Sequence, residues 1–94
     1  MSNWIDYAAR LKAERDDFAK RAADRRRDAI DYRKKGRWLD ALEADGRARE
    51  YRASQDQRAA ELKRVRPLAA HEKASRAAQA RLSRTDEPQA GDRA

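Results

Sequence analysis

Two sets of side chains in this 94-residue chain have the types and spacing from which chemistry could be built. One is the lone histidine, His71, beside Glu72 and Lys73; an imidazole that titrates near neutrality is the commonest general acid or base. The other is Asp24, Asp28 and Asp31, whose i, i+4, i+7 spacing puts three carboxylates on one helix face, as oxygen ligands for Mg²⁺ would need. Neither set reads as a site. His71 has no second histidine at metal-ligand spacing and reads as an exposed helical residue. Arg21, Arg25, Arg26 and Arg27 crowd the three aspartates and neutralise them. Asp16 and Asp17 are adjacent and so point in different directions on a helix. No glycine-rich loop is present to cradle a phosphate. With no cysteine, thiol nucleophiles, thiolate ligands and disulfides are all excluded. The inventory predicts a protein that is not an enzyme and carries no cofactor or metal.

The elements that hold these residues are predicted to be helices. Hydrophobic residues make up 39% of the chain, but alanine supplies more than half of them. Alanine is the best intrinsic helix former and adds little area to a core, so the composition favours helices that approach closely over a thick interior. Three glycines and two prolines are the only strong punctuation. A chain this short forms one domain with a modest buried surface.

The apolar pattern gives the order of elements. Ser2 or Asn3 can cap a first helix in which Trp4, Leu11 and Phe18 recur every seven residues, with Ala8, Ala22 and Ala29 in the intervening seam positions. Arg33, Lys34 and Lys35 followed by Gly36 form a helix end: cations against the negative end of the dipole, then a residue free to turn left-handed. A second stripe follows at Trp38, Ala41, Leu42, Ala48, Tyr51, Ala59, Leu62 and Val65. Folding back at Gly36 sets residue i against roughly residue 73 minus i, which pairs Leu11 with Leu62, Ala22 with Tyr51, and Trp4 with Leu68 or Ala69. Pro67 forbids further regular helix and opens a third one carrying Leu68, Ser75, Ala78 and Leu82. The remaining residues lack periodicity and are expected to be disordered. The expected fold is therefore all-α: a long antiparallel, coiled-coil-like hairpin, a shorter third helix and a loose C-terminal tail. Its helices cover about 3–35, 37–66 and 68–83 within one domain, 1–83, and the tail is 84–94.

At the turn, Tyr32, Gly36, Trp38, Ala41 and Ala48 carry a spacing that resembles the helical hairpin of tetratricopeptide repeats. The resemblance covers about one repeat, with Asp45 where that family carries an aromatic residue. It implies a helix-turn-helix with small residues at the crossing.

The charge indicates the class of partner. A net charge of +7, with arginine outnumbering lysine 18 to 6, attracts polyanions and acidic protein faces. Residues 57–84 carry eight basic and two acidic side chains. That segment faces a neutral one, so the free positive potential is expected around Arg58, Lys63, Arg64, Arg66, Lys73, Arg76, Arg81 and Arg84. The Arg25 to Arg27 run has aspartates three or four residues away and reads as locally paired. Trp4, Tyr7 and Leu39 are the expected anchors for a protein partner, and a seam this thin leaves room for a second copy of the chain. No apolar run approaches transmembrane length, and the first residues lack the pattern of a secretory signal, so a cytoplasmic location is expected. Together these features predict a small interaction protein that docks on a larger protein or nucleoprotein. Phage and mobile-element accessory inhibitors, anti-CRISPR proteins among them, are of this general type. Nucleic-acid binding through the 57–84 face and self-assembly as a structural or virion component are the alternatives.

Overall fold

In the computed structural model, which describes the backbone of residues 3–92 and the side chains of residues 3–83, two helices account for nearly all of the chain. Helix α1 spans Trp4–Lys34 and helix α2 spans Trp38–Asp92. Asn3 caps α1, its Oδ1 accepting the Asp6 N–H at 2.7 Å. The turn is closed by two backbone bonds, Gly36 N–H to Arg33 O at 3.1 Å and Arg37 N–H to Tyr32 O at 2.8 Å. That pair satisfies carbonyls the helix end would otherwise leave open, and it requires a left-handed residue. Gly36 supplies it with φ +74°.

Helix α2 runs back along α1. The buried positions repeat by sevens: Ala41, Ala48 and Leu62 in one row of α2, Ala44 and Val65 in the other, and Ala22 with Ala29 on α1. Leu11, Leu62 and Val65 form the one cluster of large buried side chains, with Tyr7 and Ala8 packed against it. Leu11 thus meets Leu62 as the folding-back rule predicts. Tyr51 meets the Phe18 ring at 6.3 Å and the Arg21 guanidinium at 6.0 Å, one turn or less from its expected partner Ala22. At the far end, Glu72 Oε2 accepts the Trp4 N–H at 2.6 Å, which satisfies one of the open donors of the α1 terminus from across the pair.

Three expectations are corrected. First, no separate third helix starts at Pro67, because α2 continues through it to Asp92. Proline removes one bond, its own N–H to the Lys63 carbonyl, at a cost of roughly 3 kcal/mol. A break would leave several carbonyls and N–H groups open, and the flanking residues, Arg66 and Leu68, provide neither a glycine stop nor an N-cap. Second, residues 84–92 are helical rather than disordered; they extend a helix already nucleated, where each added residue gains a bond. The last two tail residues lie outside the described residues. Third, Trp38 and Leu42, placed in the seam by pattern, are exposed. The seam passes instead through Ala41, Ala44 and Ala48.

Candidate interaction surfaces

The side chains first singled out for chemistry are engaged or isolated. Asp24 is paired with Arg27, Asp28 with Arg25 at 3.1 Å and Asp31 with Lys35 at 3.0 Å. Asp16 and Asp17 are held by Arg15 and Arg21. His71 is exposed on α2. Among the described residues no group of three or more His, Cys, Asp or Glu is arranged to hold a metal, and no helix is long and apolar enough to cross a membrane.

Two sides of the helical pair differ in how their charges are used. A depression of about 690 Å³ lies between the helices and is lined by Tyr7, Arg10, Glu14, Arg58, Glu61 and Arg64 among others. Its polar groups satisfy one another. Glu14 accepts from Arg58 Nε at 2.7 Å and lies 3.9 Å from Arg10, while Glu61 lies 3.3 Å from both Arg64 and the Tyr7 hydroxyl. Toward the turn the same side carries Arg37 with Asp40, Arg47 with Glu43 and Arg25 with Asp28. Arginines also roof its aromatic rings, Arg10 over Tyr7, Arg58 over Phe18 and Arg37 over Tyr32, each within 5.5 Å.

The opposite side is built differently. Arg26, Arg49 and Arg52 surround a depression of about 280 Å³ that Asp45 and Ala48 complete. Asp45 is taken by Arg33 from α1, and the three arginines form no ion pair with any described residue. For Arg26 the reason lies in the sequence: three and four residues to either side of it stand Ala22, Ala23, Ala29 and Ile30, with no carboxylate. Arg25 and Arg27, its neighbours, each find an aspartate. The run expected to be locally paired thus holds one arginine that is not.

The eight cations expected to be free along 57–84 divide. Arg58 sits half-buried against Glu14 and Phe18, Arg64 pairs with Glu61, Arg76 pairs with Glu72 at 3.0 Å, and Arg81 is engaged as well. Lys63, Arg66 and Lys73 are exposed and without an ion pair among the described residues. The Arg84 side chain lies outside the described residues.

The expected anchors also divide. Tyr7 is partly buried in the core cluster, with its hydroxyl on Glu61. Trp4 is partly exposed and meets Tyr7 at 6.3 Å. Leu39 is open, at 83% of its surface, and it has company that the stripe analysis missed: Ile30 at 52%, Trp38 at 62% and Leu42 at 65%. Trp38 and Leu42 are four residues apart and share a helix face. That face continues through Asp45, Arg49 and Arg52, so the apolar group adjoins the arginine depression. Ile30, four residues from Arg26, joins it from α1.

Compared with known proteins, the chain matches no family model, tetratricopeptide repeats included, no curated protein and no solved structure.

Proposed function

We propose that this chain is a non-enzymatic docking protein that acts by occupying a larger protein or nucleoprotein, with the closed end of its hairpin as the protein-binding tip. The observation that carries this reading is the exposure of Ile30, Trp38, Leu39 and Leu42 around the turn. Among the described residues the core holds one cluster of large side chains, yet four large apolar residues stand in water at this end. Contiguous exposed apolar residues edged by charge are the ordinary signature of a binding surface, and tryptophan is among the residues that dominate binding energy. The rigid turn below them would present the group without an ordering cost.

The test is a pull-down from nuclease-treated lysate with the chain as bait, run beside the double variant Trp38→Ala/Leu42→Ala. A stoichiometric protein partner held by the parent chain and lost by the variant, at unchanged helicity, is the expected result. Equal retention by both, or no partner at all, overturns it. A dimer in light scattering that the variant dissociates would assign the tip to a second copy instead.

A further inference from the structure

We infer a second surface, adjoining the tip but carried by different side chains: the flank bearing Arg26, Arg49, Arg52, Lys63, Arg66 and Lys73 binds the phosphate backbone of duplex DNA. The seven-residue repeat of the buried rows places these residues on one side. Arg52, Arg66 and Lys73 fall on the row that runs four positions after Ala41, Ala48 and Leu62, while Arg49 and Lys63 fall on the row one position after them. Arg26 stands in the same relation to Ala22 on α1, and it lines one depression with Arg49 and Arg52, which fixes both helices' contributions to the same side. All six are exposed, and none has an ion-pair partner among the described residues. The inter-helix pair of Arg58 with Glu14 and the local pairs of Arg10, Arg25, Arg37, Arg47 and Arg64 lie on the other side. Apart from Asp45, which is taken by Arg33, this flank keeps its cations unpaired, while the inter-helix and local pairs above neutralise the other side. Asp56 is the one carboxylate of this flank with no partner.

Three features select duplex DNA over other anions. Lys73 stands 24 residues after Arg49 along continuous helix, roughly 36 Å at 1.5 Å per residue, about one turn of B-form DNA. A rigid cationic rod of that length matches a stiff polyanion, which follows it without the ordering cost a flexible acidic peptide would incur. Between Arg49 and Lys73 the two rows offer only Ala59 and Ala70 as apolar positions, and Pro67 lies off both. Beyond the arginine-lined depression at its turn end, this flank gives an acidic amphipathic helix no large apolar side chain to anchor on, and a single strand no aromatic platform for its bases.

Fluorescence anisotropy with a labelled duplex of about one to two turns and arbitrary sequence tests this. Six cations less one carboxylate predict a slope of about −4.5 in log K against log salt, at roughly −0.9 per phosphate neutralised. Arg52→Glu/Arg66→Glu should lower affinity at least about tenfold and flatten the slope by about 2 or more. Arg47→Glu/Arg64→Glu, with the same change of net charge on the paired side, should weaken binding far less. Asp56→Lys should strengthen it, an outcome that loss of folding cannot imitate. The inference is overturned if no binding appears at low salt, if the two double variants weaken binding equally, if a single strand of the same length binds more tightly, or if poly-glutamate competes as well as DNA. Trp38→Ala/Leu42→Ala should leave the titration unchanged, so that failure here and failure of the tip are read separately.

Discussion

The two ends of the hairpin solve the same packing problem in opposite ways. At the far end Leu11, Leu62 and Val65 are buried together, Tyr7 covers them, and Glu72 closes the α1 terminus. At the turn the buried residues are Ala29, Ala41 and Ala44, while Ile30, Trp38, Leu39 and Leu42 face outward. A connection of three residues, 35–37, forces the helix axes together, and methyl groups fit where larger side chains would hold the helices apart. Close approach at the turn therefore excludes the large residues from the seam. The far end holds the buried cluster of large side chains, though Trp4, Leu68 and Leu82 stay exposed there, and the turn end buries only alanine and leaves its large apolar residues in water.

Truncation of the far end is the sharpest way to break this contrast. Leu62→Ala removes a side chain that is 3% exposed from the one cluster of large buried residues among the described residues. The expected loss is about 3 kcal/mol, from lost transfer energy and the cavity left behind. In a domain this small that lowers a thermal midpoint followed by circular dichroism by about 10 °C or more. A loss below about 1 kcal/mol would mean that the far end is no more of a core than the turn.

How much of this was legible in the sequence depended on whether the signal was local. Asn3 and Gly36 are local signals, and both act as their types require. The pairing of Leu11 with Leu62 followed from two stripes sharing one turn. Pro67 misled because a proline signals a break only where neighbours can cap the ends, and Arg66 and Leu68 cannot. Trp38 and Leu42 misled because pattern alone does not tell a seam from its flank; where axes are close the seam is alanine, and the larger residue beside it is displaced outward. The free arginines needed residue-by-residue bookkeeping. Arg25, Arg26 and Arg27 look alike as a cluster, but only Arg26 lacks a carboxylate at three and four residues in both directions. Arg58 lost its availability to Glu14, forty-four positions away, which no local rule anticipates.

Gly36 of the turn and Gly46 inside α2 sharpen the comparison with effects of intermediate size and opposite sign. Gly36→Ala places a Cβ in open space, so steric clash with neighbours contributes nothing, but φ +74° is costly for any residue with a side chain. A destabilisation of about 1 kcal/mol is expected. Gly46 lies inside α2 with ordinary helical φ, and a Cβ there also meets nothing within 4 Å. Gly46→Ala should stabilise by about 1 kcal/mol, through helix propensity alone. Denaturant midpoints of the pair, moving apart from the parent, are the measurement; movement in the same direction would show that the turn does not need its left-handed residue.

The smallest effect is the most diagnostic. Trp38→Ala and Leu42→Ala delete two large apolar side chains, and in a conventional core each would cost several kcal/mol. Here they leave water rather than a cavity, and alanine is at least as good a helix former as either residue. The unfolding free energy of each variant should stay within about 0.5 kcal/mol of the parent, measured by urea titration at unchanged m-value. A loss above about 2 kcal/mol would place these side chains in a core and remove the argument that they are held out for a partner. Near-neutrality in stability, set beside a large loss on Leu62→Ala, would separate the residues that keep the hairpin folded from those the fold exists to present.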